Sequence, residues 1–455
     1  MKKLFRCLCR LIFATVVVSL VAIAPKSGIG AEAWDDTSKM VPPTIPGDHP
    51  DKWYGFHCAE IPRDQIHIIR SGDAFPNQTI ISSWGYKAKP IEEIKDLVPE
   101  IWYDICTHPD LWGETRMNET AFIPREKWGD NTKRVDEATK KNKGTAKLNE
   151  KGHLINYKNG MPFPDTTDGR EMAWNFVNSL IYGQQMIVRF CTGVTDKKGH
   201  KRYSQAEQNY YWWKGRIYGA DIPEKQPNPN NYSFYSAMGF AFPYDLKGLV
   251  IITHRYDDPE KADDQWMYIT SLRRVRRMSA AQRWDKLPGG QDITYDAATG
   301  FQGKPTNYEW KYLGRKELLC GRQAAYQLQE IKDKPGGGAA DQLYQRVNTM
   351  MLEYKPKIVS TVSRAVMYLD PESYACFYVE FYDTRGRPYL FYNHCWGIGN
   401  DGAMMPIGFL VADVQRTHSS NNYMMDNYFN LDAEKAGITP EYFNMENLRK
   451  VFSGR

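Results

Sequence analysis

The sequence predicts an α+β fold that is rich in β-strands and is built on one large antiparallel sheet. In residues 264–270, Trp266, Tyr268 and Thr270 recur with a period of two, and this period is typical of a β-strand. Further aromatic segments follow one another over residues 358–396, separated by short turns. Such a sheet needs packing partners, so we expect helices to cover one side of it.

The N-terminus has the form of a cleaved secretory signal. Basic residues precede an apolar run over residues 11–24, and the small-residue site Ala31-Glu32-Ala33 follows. The run is shorter than the roughly 20 residues that span a membrane, which argues against a membrane anchor. Cys7 and Cys9 precede the run, so we expect no lipid attachment at the cleavage site. We predict a signal peptide over residues 1–31 and a soluble exported protein.

Cleavage would leave a chain without net charge. The full sequence has 59 basic and 54 acidic side chains and a net charge of +5. Five of the basic side chains and none of the acidic ones lie in residues 1–31, which leaves 54 of each. A neutral chain gives no electrostatic reason to expect nucleic acid as a partner.

Residues 32–114 are predicted to form an extended N-terminal arm. Its first part is rich in Pro and Gly, with a short strand candidate at residues 66–70, and its aromatic side chains need cover from the body. Residues 91–107 have helical spacing, and Pro99 is predicted to kink or split that helix. Residues 131–149 predict a lysine-rich helix whose charges face solvent.

Residues 160–181 predict a turn followed by an amphipathic helix. Asp168 and Glu171 have the spacing of a capping box. The apolar residues that follow fall on one stripe of the helix: Met172, Phe176, Val177, Leu180 and Ile181. We expect such a helix to pack in an ordinary core, and a lid over the mouth of a sheet is the alternative.

Strands are predicted for most of the remaining chain. Residues 248–256 form an apolar, β-branched run, and Tyr308, Trp310 and Tyr312 share one face of a further strand. A β-meander is predicted over residues 358–396.

The C-terminal part combines methionine and aromatic residues with a final short helix. Residues 404–429 fit either an adaptable apolar surface or a core, because Met fills both. Thr439 and Pro440 have the residue types that begin a helix, so we place its start there.

Six cysteines remain after the predicted signal, and they are widely spaced: Cys58, Cys106, Cys191, Cys320, Cys376 and Cys395. No pair has the Cys-x-x-Cys spacing, and we predict no metal site and no cofactor. An oxidising compartment permits disulfides, and buried free thiols are the alternative.

One disulfide follows from the register of a predicted hairpin. With a two-residue loop at Arg385-Gly386, Cys376 lies directly opposite Cys395, within disulfide range. A three-residue loop would instead place His394 opposite Cys376. We predict a Cys376–Cys395 disulfide.

Four arginines cluster directly after the aromatic strand: Arg273, Arg274, Arg276 and Arg277. Arginine presents its donors as a rigid fork that suits carboxylates and phosphates. Arg274 and Arg276 share a strand face and are predicted to bind anionic head groups together. The alternative is a solvated edge strand whose charges prevent aggregation.

The sequence contains no recognisable catalytic motif. It has no G-x-S-x-G elbow, no phosphate loop and no H-E-x-x-H pair. His394 and Cys395 are neighbours on a predicted strand and point to opposite faces, so they do not form a hydrogen-bonded pair. We therefore predict that the protein is not an enzyme.

Several ordered blocks resemble a family of periplasmic proteins of Gram-negative bacteria called "domain of unknown function 1329". They include Trp266-x-Tyr268 followed by the arginines, the block from Gly160 through Asp168-Gly169 to Trp174-Asn175, and Thr439-Pro440-Glu441. The resemblance covers residues 115–455, which we treat as one domain. The family is distantly similar to the lipoprotein carrier LolA and its receptor LolB. This similarity implies a large curved antiparallel sheet, an unclosed half-barrel, in the periplasm.

The resemblance also implies a function. The protein would be a carrier or chaperone that passes lipid or other hydrophobic cargo between an inner-membrane transporter and the outer membrane. Implied partners are a transporter of the resistance–nodulation–division type and a porin-like outer-membrane protein, because such proteins are often encoded beside family members. Two alternatives stay open: a non-catalytic adaptor of a transporter assembly, and a hydrolase or other enzyme acting on an apolar substrate. The residues predicted to bind ligand are Trp174, Trp266, Tyr268, Arg274, Arg276, Tyr308, Trp310 and Tyr312.

Overall fold

The structure, a computed structural model, describes residues 67–70, 87–89, 91–113, 116–120, 125, 129–179, 183–322, 342–398 and 402–453. The predicted signal peptide and most of the predicted N-terminal arm lie outside the described residues.

Strands form the body of the fold. In chain order they are β1 (His67–Arg70), β2 (Lys87–Lys89), β3 (Arg116–Thr120), β4 (Lys147–Leu148), β5 (Leu154–Ile155), β6 (Gln185–Thr195), β7 (Lys201–Trp212), β8 (Tyr232–Phe242), β9 (Val250–Tyr256), β10 (Asp264–Ile269), β11 (Arg274–Arg277), β12 (Tyr308–Cys320), β13 (Gln342–Pro356), β14 (Val362–Leu369), β15 (Cys376–Asp383), β16 (Pro388–Ile398), β17 (Met404–Asp413) and β18 (His418–Phe429). All but β4 and β5, which pair with each other, belong to one 16-stranded sheet.

The large sheet does not close on itself. Its order is β11-β10-β9-β8-β7-β6-β18-β17-β16-β15-β14-β13-β3-β1-β2, and β12 also pairs with β13. Neighbouring strands are antiparallel except for the parallel pairs β1–β2 and β3–β13. The predicted antiparallel sheet is therefore confirmed, and its meander supplies β14, β15 and β16.

Helices cover this sheet. They are α1 (Glu100–Thr107), α2 (Pro109–Trp112), α3 (Asp130–Asn142), α4 (Gly169–Asn178), α5 (Asn430–Lys435) and α6 (Met445–Ser453). Short 3-10 turns occur at Ile91–Leu97, Thr270–Leu272, Ala280–Trp284, Tyr295–Gly300, Pro305–Asn307 and Pro440–Tyr442. No helix in the described part of the chain is long and apolar enough to cross a membrane.

The two faces of the sheet have different covers. We call the face that contacts α4 and residues 279–307 the inner face, and the opposite one the outer face. On the inner side, the Tyr392 hydroxyl of β16 accepts a hydrogen bond from the Thr294 N–H at 3.3 Å. On the outer side, Ile187, Tyr211 and Ile252 form a buried cluster with Leu448 and Phe452 of α6. Because side chains alternate along a strand, each strand contributes to both layers.

Residues 91–113 pack in the main core. Pro99 separates the 3-10 turn at Ile91–Leu97 from α1, so the predicted split at this proline is confirmed. Trp102 of α1 is fully buried and stacks on Phe391 of β16, with ring centroids 5.4 Å apart. This part of the predicted arm therefore forms a layer on the outer face of β15 and β16.

Two predicted helices differ in detail from the observed ones. The lysine-rich helix α3 ends at Asn142 rather than 149, and it buries Val135 although most of its surface is polar. At the start of α4, the Asp168 carboxylate accepts hydrogen bonds from the N–H groups of Arg170 and Glu171. The Glu171 carboxylate accepts from the Thr166 hydroxyl, and Thr166 in turn accepts from the Asp168 N–H. The predicted cap is present, but the Glu171 carboxylate is linked to the Asp168 N–H through the Thr166 hydroxyl rather than by a direct hydrogen bond.

The predicted Cys376–Cys395 disulfide is not formed: both residues are buried free thiols. The hairpin has a three-residue loop, since Asp383 pairs with Arg387, but a bulge near Tyr382 restores the register that a two-residue loop would give, with Tyr378 opposite Asn393. The sulfur atoms have separate surroundings. Cys376 donates to the Tyr378 carbonyl oxygen at 3.3 Å, whereas the Cys395 sulfur lies 3.8 Å from the Tyr344 hydroxyl.

Candidate functional site

An apolar cavity of about 130 Å³ lies between the inner face of β6–β9, helix α4 and the covering residues 279–307. Its walls are mainly aromatic and aliphatic: Phe176, Val177, Met186, Val188, Phe190, Gln208, Tyr210, Trp212, Phe234, Met238, Arg255, Leu287, Ile293, Ala298, Thr299, Phe301, Gln302, Gly303 and Phe409. A concave, mostly apolar pocket with a few polar groups is the usual form of a small-molecule site.

The strand period explains the sheet side of this cavity. Met186, Val188 and Phe190 alternate along β6, and Tyr210 and Trp212 alternate along β7. Residues between them, such as Ile187 and Tyr211, belong to the outer cluster. The polar groups of the lining are engaged: Gln302 donates to the Tyr210 hydroxyl, and burial raises the pKa of Tyr210 to about 12.

Ion pairs and hydrogen bonds fix the covering residues 279–307 to the sheet. Lys286 forms ion pairs with Asp292 and Asp413 of β17, each at 2.8 Å. Nearer the cavity, the Tyr308 hydroxyl donates to Asp296 at 2.6 Å, and Arg283 also pairs with Asp296. These contacts hold Phe301 against the cavity.

A wider chamber of about 340 Å³, which we call the vestibule, adjoins the apolar cavity. The two share Val177, Trp212, Phe234 and Arg255. The vestibule also has polar walls, including Lys158, Asn178, Lys214, Glu224, Asp257 and Lys304. A ligand that occupies both chambers would therefore contact apolar walls at one end and polar walls at the other.

A buried charge cluster stands where the chambers meet. Asp263 lies 2.9 Å from Arg255, 2.9 Å from Arg283 and 3.2 Å from Lys304, nitrogen to oxygen. Burial alone would raise the pKa of Asp263, but the charges of Arg255, Arg283 and Lys304 outweigh it and hold the pKa well below its usual value. The Arg255 guanidinium also donates to the Gln302 carbonyl oxygen at 2.7 Å. Arg255 thus ties β9 to the covering residues.

Two further cavities lie in succession between the apolar cavity and the sheet edge at β11. A small cavity of about 60 Å³ shares Gln208, Arg255 and Gln302 with the apolar cavity. It shares Gln265 and Arg283 with an outer groove of about 560 Å³, which reaches Arg277 and Met278. Arg283 therefore stands between the cavity and this groove.

Only part of the predicted site lies at the cavity. Trp174 lines the vestibule, and its Nε1 donates to the Gly152 carbonyl oxygen at 3.0 Å. Tyr308 and Trp310 share a face as predicted, but they pack behind Phe301, each with its ring centroid 4.9 Å from that of Phe301. Tyr312 is a half-buried residue at the margin of the same core. These three residues support the cavity wall without lining the cavity.

Trp266 and Tyr268 do not face the cavity. They lie on the outer face, in the cluster formed with the C-terminal helix α6. The Arg449 guanidinium of α6 lies 4.4 Å from the centroid of the Tyr268 ring. The two residues share a face, as predicted, but that face packs against α6 rather than lining the cavity. No local pattern in the sequence indicates this cover, because α6 comes from the far end of the chain.

Arg274 and Arg276 are exposed on β11, a strand at one end of the sheet order. They pair with Ile269 and Met267 of β10 and do not line the apolar cavity. The predicted joint contact with a cavity-bound ligand is therefore not supported by their position.

The sequence analysis missed Phe234, Arg255 and Phe301, which are central to the cavity. Phe234 and Arg255 alternate with Tyr235 and His254 of the outer face. The sequence therefore shows that these side chains point to opposite faces, but it does not show which face is the inner one. Phe301 lies in an irregular segment, where no periodicity exists. No group of three or more His, Cys, Asp or Glu residues in the described ranges could hold a metal ion.

Comparisons with known proteins point to one family. The chain is 26% identical over 268 residues to the uncharacterized protein PA3922 of Pseudomonas aeruginosa, covering 55% of this chain and 56% of the relative. The chain thus spans little more than half the length of that relative.

Two solved structures are similar at low sequence identity. One is a domain from Vibrio parahaemolyticus whose name provisionally assigns it to outer membrane lipoprotein sorting, with 17% identity, a TM-score of 0.45, and coverage of 62% of this chain and 98% of that one. The other is a DUF1329 family protein from Desulfovibrio piger, with 15% identity, a TM-score of 0.45, and coverage of 61% and 96%. The family model described as "Protein of unknown function (DUF1329)" matches residues 123–449 of this chain. The chain therefore belongs to the DUF1329 family.

Proposed function

We propose that this protein is a carrier that holds the apolar part of a ligand in the cavity under α4 and residues 279–307. The observation that supports the proposal is an apolar cavity that adjoins a polar vestibule and shares four lining residues with it. An engineered apolar cavity of roughly 150 Å³ is large enough for benzene. The inner cavity therefore suits a single ring or a short length of acyl chain, and the vestibule suits a larger polar head. We infer an amphiphilic ligand with one narrow apolar end.

The cellular role that we propose follows the resemblance to LolA and LolB. The protein would carry lipid or another hydrophobic compound through the periplasm, from a transporter of the resistance–nodulation–division type toward a porin-like outer-membrane protein. An adaptor without cargo would not need an apolar cavity. The described cavity lining contains no Ser, Cys or His that could act as a nucleophile with a neighbouring base. Both observations favour the carrier over the adaptor and the hydrolase.

The replacement Val177→Trp is expected to block ligand binding. Val177 lines both the cavity and the vestibule, so an indole ring there would fill the passage between them. We expect at least a tenfold loss of affinity for a fluorescent long-chain fatty acid in titrations with the purified protein. Val359→Trp is the matched control, because Val359 is 88% exposed, and it should leave the affinity unchanged. Equal affinity in Val177→Trp and the native protein would contradict binding in this cavity.

Trp266→Ala is expected to leave the same affinity within about twofold of the native value. Trp266 is half-buried on the outer face and contacts His254, with ring centroids 5.2 Å apart. The change should lower the free energy of unfolding by less than the roughly 3–5 kcal/mol typical of a fully buried aromatic residue. Fatty-acid titration and chemical denaturation measure the two effects. A tenfold loss of affinity would place Trp266 in the ligand site after all.

A further inference from the structure

Strand β11 and the turn before it form an exposed edge that is both basic and apolar. Every side chain from Ser271 to Arg277 is exposed, including Leu272 at 48% and Val275 at 47%. Arg277 forms an ion pair with Asp264. Within the described part of the chain, Arg273, Arg274 and Arg276 have no ion pair. These three charges are therefore available to a partner.

The turn between β8 and β9 adds an aromatic residue beside this edge. The Thr270 hydroxyl donates to the Lys247 carbonyl oxygen at 3.0 Å, which holds the two turns together. Tyr244, on the same turn as Lys247, exposes 93% of its surface. We call this surface the docking edge and define it as Tyr244, Leu272, Arg273, Arg274, Val275 and Arg276.

We propose that the docking edge binds the surface of a membrane that contains anionic lipids. Arginine forks match lipid phosphates, and each basic residue near an anionic surface adds attraction. Tyrosine is favoured at the boundary between water and hydrocarbon because its ring is apolar and its hydroxyl is polar. Protection of an edge strand from aggregation would explain the arginines. It does not explain the exposed Leu272 and Val275 among them or the exposed Tyr244 on the neighbouring turn, whereas a membrane surface accounts for all of these.

The docking edge lies next to the outer groove, so membrane binding there would place a lipid surface near the apolar cavity. The outer groove begins at Arg277 and Met278, next to the docking edge, and leads past Arg283 toward the apolar cavity. A membrane held at β11 would therefore face this groove. The transfer of cargo from there to the apolar cavity rests on the proposed carrier function, but binding of the membrane surface does not.

Vesicle co-sedimentation with the mature protein tests the proposal. The native protein should bind vesicles of phosphatidylglycerol and phosphatidylcholine, and bind pure phosphatidylcholine vesicles much more weakly. Arg274→Gln with Arg276→Gln should weaken binding to the anionic vesicles about 25-fold, taking about fivefold for each arginine. Added salt should weaken native binding as well. Tyr244→Ser with Leu272→Ser should weaken it without changing the salt dependence.

The matched control is Arg385→Gln with Arg416→Gln, which removes two exposed charges from the hairpins β15–β16 and β17–β18. This control should bind like the native protein, and the melting temperature reports whether each variant is folded. Equal losses in the control and in the β11 variant would overturn the proposal, as would a native protein that does not bind anionic vesicles. If docking fails while Val177→Trp still loses fatty-acid binding, the carrier function stands without membrane docking.

Discussion

Asp263→Ala is expected to lower the free energy of unfolding by about 3–5 kcal/mol, the usual cost of removing one partner from a buried ion pair. The Asp263 side chain is 3% exposed and faces three basic groups. Its loss would remove the ion pairs of Arg255 and Lys304 and leave Arg283 with Asp296, in a largely buried region where solvent compensates these charges only in part. Chemical denaturation of the purified protein measures the change.

The matched control is Asp257→Ala. Asp257 pairs with Lys214 at 2.7 Å, but its side chain is 45% exposed, and exposed pairs contribute about 1 kcal/mol or less. Similar losses in both variants would mean that Asp263 is not a buried centre of charge.

The effect of Asp263 should also depend on pH. The pKa of Asp263 is lowered in the folded state, so the carboxylate stabilises the fold above its unfolded pKa of about 3.9. That contribution is lost as the pH falls toward the lower folded value. The difference between the native protein and Asp263→Ala should therefore be full at neutral pH and shrink below about pH 4. A constant difference across this range would contradict the assignment.

The large sheet could be predicted because its signals are local. The period of two in residues 264–270 and the short turns of the meander each identify a strand without knowledge of its neighbours. Pro99 likewise ends a helical turn through its own backbone chemistry. The order of the strands needs contacts between distant residues, such as the pairing of β6 with β18, and no local pattern contains them.

The candidate cavity was harder to predict because periodicity shows which side chains share a face of a strand but not which face is the inner one. Trp266 and Tyr268 form a face with the composition of a binding surface, yet α6 covers them. The inner face differs from the outer face in the segments that pack on it. Much of the segment that covers the inner face, including Phe301, is irregular and has no periodicity. The helix α4 itself was easier to predict, since its capped start and apolar stripe are local signals. Phe176 and Val177 of that stripe line the cavity.

Contacts with the sheet cross the boundary predicted at residue 114. Trp102 lies before that boundary, but it is fully buried against Phe391 of the sheet. The Ile101 N–H donates to the buried Glu380 carboxylate at 3.2 Å, and the Tyr368 hydroxyl donates to the same group at 2.8 Å. From these contacts we propose that α1 belongs to the folding unit that contains β14–β16.

Trp102→Ala is therefore expected to lower the free energy of unfolding by about 3–5 kcal/mol, as for other fully buried aromatic residues. Leu111→Ala is the control on the same segment, because Leu111 is 47% exposed, and it should change the free energy by about 0.5 kcal/mol or less. Chemical denaturation followed by intrinsic fluorescence and by circular dichroism should give one coincident transition for each variant. Separate transitions, or equal small losses in both variants, would mean that residues 91–113 fold independently of the sheet. One transition with a large loss for Trp102→Ala alone would move the start of the domain to residue 91 or earlier.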